Sequence, residues 1–159
     1  MLAIKHSAAQ IYSVDSSQEW IDRLLKFRAV RQAVAQRRLY LHHADIRPVK
    51  KWGKPLIAPT QESATRYYSA IWDKFDNRTI DLVLIDGRFR VACLIETLRH
   101  SPTATIAIHD FWNRPYYQVV LPALSCIERV DRMGVFVAAR ELPPEFLDGE
   151  FARAKLDPR

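Results

Sequence analysis

The sequence predicts an α/β fold: a mostly parallel sheet with helices on both faces, closed near its C-terminal end by an antiparallel hairpin. Three observations predict it. Short β-like runs alternate with segments of helical period, the pattern of parallel strands joined by crossover helices. One run, Asp81-Leu82-Val83-Leu84-Ile85, is apolar almost throughout, as expected of a central strand buried on both faces. Two further runs, 127–130 and 135–139, are joined across Asp131 to Gly134 and read as a hairpin.

The elements follow in order. Ile11-Tyr12-Ser13-Val14 is a strand that stops at Asp15. Ser16, with Glu19 three residues on, is the expected capping box of the next helix. Its buried stripe is predicted to be Trp20, Leu24 and Phe27, with Ile21 and Leu25 alongside. Arg38 to His43 is the second strand, leading to Asp45. Ile46 to Thr60 reads as a proline-rich loop carrying Lys50, Lys51, Trp52 and Lys54. Trp52 among lysines is either a loop residue without a partner or a lid over a flat anionic ligand.

A helix burying Tyr68, Ile71, Trp72 and Phe75 comes next. The strand 81–85 runs into Asp86-Gly87, and a helix with Val91, Leu94, Ile95 and Leu98 on one side follows until Ser101-Pro102. Thr103 to Ile108 then delivers His109 and Asp110. Asn113 and Pro115 open a further helix, with Tyr116, Val119, Val120 and Ala123 inward. The domain is assigned to residues 1–140. Residues 141–159 read as a peripheral tail, because the chain there turns proline-rich and charged.

Composition narrows the function classes. The 159 residues suit a single core. The longest apolar run is far short of the roughly 20 residues that span a bilayer, and Lys5 and His6 interrupt Met1 to Ile4, so neither membrane nor signal peptide is expected. Cys93 and Cys126 fit neither a metal spacing nor a disulfide framework. A buried Cys93 thiol and a reducing, cytoplasmic setting are expected. The net charge of +6 can attract anions. Its spread along the chain points to a solvated surface rather than nucleic-acid binding.

The strands carry a common signal. Asp15, Asp45, Asp86 and Asp110 each follow a strand, and open α/β sheets bind ligands outside the carboxyl ends of their strands. If Asp86 and Asp110 end neighbouring strands, less than about 5 Å apart, they repel unless a cation, a proton or an arginine lies between them. Arg88, Arg90 and Arg114 are close in sequence and are the preferred answer; a divalent ion such as Mg²⁺ is the sharper alternative. Asp86, His109 and Asp110 are the candidate catalytic residues, with His109 read as a general base or as a histidine bonded in the sheet rim. Arg88, Arg90 and Arg114 are candidates to hold an anionic substrate. Tyr117 is the expected pocket-lining residue, and Tyr116 the core one.

At these residues the sequence resembles the class I S-adenosylmethionine-dependent methyltransferase family, from Met1 to about Arg140, which implies a Rossmann-like fold. In that family the acid ending the second strand holds the cofactor's ribose hydroxyls, matching Asp15 in IYSVDSS. A residue after the third strand meets the adenine amino group, matching Asp45 in HHADI. DLVLIDGRFR corresponds to the region beside the reactive methyl group, with Asp86 at the matching position. The blocks IDGRFRVACLIETL and IAIHDFWNRPYYQVV are also similar to methyltransferase-like proteins. More distantly they resemble metal-assisted sugar and catechol O-methyltransferases, where acids matching Asp86 and Asp110 bind Mg²⁺.

The resemblance implies S-adenosylmethionine as cofactor and O-methyl transfer to a small or sugar-like acceptor. The chain departs from the family at its start. Its first strand and glycine-rich loop are expected to be missing, since MLAIKHSAAQ aligns with the helix after that loop and none of the four glycines belongs to a Gly-x-Gly. The alternative is therefore a catalytically inactive methyltransferase-like binding or assembly domain, open to homodimerisation through a sheet edge.

Overall fold

The computed structural model describes residues 2–50, 53–75, 80–141 and 144–159. Lys51 and Trp52 lie outside the described residues. The chain clusters into two compact units, residues 1–67 and 68–159.

The first unit runs α1 (Leu2–His6), β1 (Ile11–Asp15), α2 (Gln18–Leu24), α3 (Arg28–Ala35), β2 (Leu39–His43), β3 (Val49–Lys50), β4 (Lys54–Pro55) and α4, which spans Gln61–Tyr68 across the unit boundary. β1 and β2 are parallel, with Ile11 opposite Leu39 and Asp15 opposite His43. Strand alternation puts Ile11, Leu39 and Leu41 against Val30 and Ala33 of α3. Tyr12 and Tyr40 share the other face, their rings 6.3 Å apart. The proline-rich loop holds only the two-residue antiparallel pair β3–β4.

Two expectations fail here for local reasons. The cap of α2 is Ser17, whose hydroxyl accepts from Trp20 N at 3.2 Å. Asp15 Oδ1 takes the Ser17 N–H at 2.8 Å, so β1 extends through Asp15; the cap moves to Ser17, Trp20 stands at the third helical position, and no Ser–Glu box forms. The helical period also breaks after Leu24, and α3 starts afresh at Arg28. Ile21, Leu24 and Leu25 face the core, while Trp20 and Phe27 are 49% and 52% exposed.

The second unit contains a short 3₁₀ turn (Trp72–Lys74), β5 (Leu82–Ile85), α5 (Arg90–His100), β6 (Thr105–Ile108), a 3₁₀ segment (Pro115–Ala123), β7 (Leu124–Val130), β8 (Met133–Ala138) and α6 (Pro144–Ala154). Its sheet has the order β5-β6-β8-β7; β5 and β6 are parallel and the remaining pairs antiparallel. The C-terminal hairpin is thus present. Gly134 stands in it where a Cβ would fall 2.4 Å from the Phe136 ring, which leaves glycine as the residue that fits.

One face of this sheet is packed. Ile85, Ile106, Ile108 and Phe136 meet Leu94, Ile95 and Leu98 of α5, Val120 and Ala123 of the 3₁₀ segment, and Leu147 of α6. The opposite face is not: Leu82 and Leu84 are 62% and 64% exposed, so β5 is not buried on both sides as its apolar run predicts. An apolar run reports compatibility with burial; whether a layer covers the second face depends on elements elsewhere in the chain.

The segment after Asp110 also departs from expectation. Arg114, not Asn113, caps it, Pro122 inside removes a backbone donor near its end, and the turns are 3₁₀ rather than α. The stretch read as a peripheral tail forms α6, with Leu147 buried and Phe146 and Phe151 against the core. Phe151 packs edge-on to Tyr68 at 5.4 Å, and Arg99 of α5 reaches Asp148 at 2.5 Å. Its apolar residues at helical spacing outweigh the flanking prolines and charges.

The fold is α/β, with parallel pairs β1–β2 and β5–β6 in separate small sheets and a mixed sheet in the second unit. Among the described residues no helix is long and apolar enough to cross a membrane.

Candidate functional site

The carboxyl ends of β5 and β6 carry a cluster of charged side chains. Parallel pairing in register, Ile85 beside Ile108, brings the residues after each strand together. Asp86 and His109 therefore meet: His109 Nδ1 is 3.0 Å from Asp86 Oδ1 and 3.7 Å from Asp110 Oδ1. Both side chains of the closer pair reach solvent, His109 being 41% and Asp86 56% exposed.

The backbone beneath is stapled. Arg90, 4% exposed, donates from Nε to Gly87 O at 3.0 Å, from one terminal nitrogen to His109 O, and from the other to Asp86 O at 3.3 Å. One guanidinium thus fixes both strand ends. Both turns also contain a left-handed non-glycine residue, Phe89 at φ 51° and Asp110 at φ 56°. Asp tolerates this region, whereas a buried Phe does so only under tertiary constraint.

Asp110 is buried among cations. Its Oδ2 accepts from Arg114 at 2.7 Å, and its Oδ1 lies 3.1 Å from Arg132. Burial pushes this carboxyl up, and His109, Arg114, Arg132 and Arg90 together outweigh it, leaving it below the usual carboxylate range. The repulsion foreseen between Asp86 and Asp110 is answered by His109 and by arginines. Arg132 is the member sequence reasoning missed. The β6–β8 register places Gly134 opposite Ile108, which returns the hairpin turn to Asp110 from 22 residues away.

Asp110, one of the two acids the resemblance matches to a metal site, is committed to arginines. Among the described residues no group of three His, Cys, Asp or Glu is arranged to hold one. Asp110 already faces two guanidiniums, whose charge opposes a dication.

The candidate substrate residues fare differently. Arg90 is buried, and its donors go to backbone carbonyls and, at 3.4 Å, to the Asp86 carboxylate, so it is not available to a substrate. Arg114 is bonded to Asp110. Arg88 sits half-buried on the turn between Gly87 and Phe89. The tyrosine assignment is reversed: Tyr117 is 2% exposed, under Arg90 at 5.3 Å, while Tyr116 is on the surface. Tyr117 borders a void of about 10 Å³, room for roughly one water rather than a ligand. Counting from Pro115 in 3₁₀ rather than α turns rotates which tyrosine faces inward.

In the first unit, Asp15 and Asp45 stand at the carboxyl ends of the parallel pair β1–β2. Asp15 is half-buried and, besides the Ser17 contact, has a carboxyl raised by burial, an effect that Ser17, His43 and Ser16 partly offset. Asp45 is exposed and accepts the Arg47 N–H at 2.9 Å. Each parallel pair therefore presents its own two carboxylates at its carboxyl edge.

No protein-family model matches the sequence, and no curated protein matches it. Among solved structures, the chain is similar to a methyltransferase-like protein from Silicibacter pomeroyi. The identity is 26% and the TM-score 0.72, over 92% of this chain and 76% of the other. The fold is accordingly methyltransferase-like.

Proposed function

We propose that this chain is an S-adenosylmethionine-dependent methyltransferase domain that transfers a methyl group to an oxygen of a small or sugar-like acceptor. The observation that carries the reading is the Asp86–His109 contact at the carboxyl edge of a parallel pair, in a fold similar to that of a methyltransferase-like protein.

The cofactor, when bound, supplies a methyl group already activated on a sulfonium, so the protein's task is chiefly alignment and proton removal. Asp86 accepts the Nδ1 proton of His109 and so leaves Nε2 as the basic atom. His109 Nε2 takes the acceptor's hydroxyl proton as the oxygen becomes nucleophilic, and Asp86 stabilises the imidazolium that results. Asp110, locked between Arg114 and Arg132, fixes the backbone that carries His109. Asp15 fits a ribose diol: an ionised carboxylate has about four acceptor positions, and the Ser17 N–H takes one. Asp45 is the candidate partner of the adenine amino group.

Isothermal titration with S-adenosylhomocysteine tests the reading. Saturable heat that disappears in Asp15→Ala supports it, and no heat at millimolar ligand on folded protein rejects cofactor use.

A second reading, a methyltransferase-like assembly module without catalysis, is favoured by the bare Leu82 and Leu84 face. It requires self-association, measured by sedimentation, that Leu84→Ser abolishes.

A further inference from the structure

Residues 1–67 hold twelve Lys and Arg against five Asp and Glu, whereas residues 68–159 hold twelve against thirteen. The positive excess therefore belongs to the first unit, although along the sequence it looks evenly spread. The unit's acids are also engaged close to home. Glu19 pairs with Arg23, Glu62 with Arg66, and Asp22 accepts from Gln18. Asp15 and Asp45 accept from backbone N–H groups of their own turns.

Part of that charge lines a cleft of about 160 Å³ between α1 and α3, formed by Ile4, Lys5, Ala29, Gln32, Ala33, Gln36 and Arg38. Among the described residues no acidic one lines it. Gln32 and Gln36 are one turn apart on α3, and Arg28 stands one turn before Gln32 on the same helix face. Arg38 uses one terminal nitrogen on Ser7 O at 2.6 Å, while its Nε is buried with no hydrogen-bond partner among the described residues. That Nε is closed to a ligand oxygen, so the terminal nitrogen not engaged by Ser7 is the donor left to an anion in the cleft.

We propose that this cleft binds a phosphate group, held by Lys5 and Arg38 with amide donors from Gln32 and Gln36. Sites that engulf a whole small molecule measure roughly 300–1,000 Å³; at 160 Å³ this one takes the charged group and leaves the remainder of its ligand outside. That geometry suits a phosphodiester of a single strand or the phosphate of a nucleotide ester.

The test uses the full chain with two probes: a fluorescent twelve-residue oligouridylate followed by anisotropy at several salt concentrations, and uridine monophosphate followed by titration calorimetry. Variants are Lys5→Gln, which removes one cation at an exposed position, and Gln32→Glu, which sets a carboxylate among the cations without touching the Arg38–Ser7 anchor. Binding of the oligonucleotide that weakens by roughly tenfold in Gln32→Glu, with a salt slope shallower by about 0.7 in Lys5→Gln, assigns the phosphate to a strand. Binding of the monophosphate alone, lost in the same variants, assigns it to a small ester and leaves the cleft's role intact. Equal affinity in wild type and both variants, or no binding of either probe, overturns the proposal. Circular dichroism melts of the variants identify any loss that comes from unfolding, and Lys5→Gln alone then decides.

Discussion

His109 Nδ1 lies 3.0 Å from Asp86 Oδ1, a contact that exists because β5 and β6 are parallel and in register at their last residues. Neither residue is near the other in sequence, yet both follow directly on a strand. Asp86→Asn is expected to shift His109 from the Nδ1–H to the Nε2–H tautomer, since an amide no longer favours a proton on Nδ1. Long-range ¹⁵N–¹H spectra report the tautomer directly. Methyl-transfer activity, once an acceptor is identified, should fall by about 10²–10⁴ in His109→Ala.

Arg90 is expected to be more important to stability than to substrate affinity. Arg90→Met leaves three backbone carbonyls without their donors, a loss of about 3 kcal/mol. Urea unfolding should show a lower midpoint at an unchanged slope, and Arg90→Lys should recover only part, because one ammonium does not reproduce the planar fork.

Acid should weaken the protein through Asp110. Its folded value lies below its unfolded one. Its contribution is therefore complete above the unfolded value, about 3.9, and is lost as the pH falls through the folded value. Stability measured from pH 7 downwards should drop below about pH 4, and Asp110→Asn should be less stable at pH 7 with a flatter acid limb.

Asp15 should behave in the opposite sense. Its carboxyl is raised by burial, so the ionised form opposes folding at neutral pH and the opposition fades as the pH falls through the folded value. Asp15→Asn keeps an acceptor for the Ser17 N–H and is expected to melt slightly higher than wild type at pH 7. The difference should shrink on acidification.

The two thiols should differ sharply in reactivity. Burial pushes the Cys93 thiol up to about 12, with Glu96 adding to the effect. Cys126 is exposed. Titration with a disulfide reagent at pH 8 should modify Cys126 quickly and the half-buried, protonated Cys93 much more slowly until denaturant is added. Equal rates would contradict the packing around α5.

Much of the strand pattern was legible because it rests on local chemistry. Apolar runs ending in Asp marked β1, β5 and β6, and the helical spacing of Leu94, Ile95 and Leu98 marked the inner face of α5. Asp86, His109 and Asp110 were found as a group because strand ends are visible in a sequence and their parallel pairing follows from the alternating pattern. Trp20, Phe27, Tyr116 and Tyr117 were misassigned where a helix broke or turned 3₁₀. A change of rotation per residue alters which side chain faces inward and leaves no mark in composition.

By itself the sequence determined the α/β class, the C-terminal hairpin and the carboxylates at the strand ends, since each depends on residues a few positions apart. Only the tertiary structure decided that Arg90 staples two strand ends, that Arg132 returns to Asp110, that Leu82 and Leu84 lie bare, and that the excess charge sits in the first unit. These depend on which distant segments the chain brings together, and burial and pairing are properties of that assembly rather than of any stretch of residues.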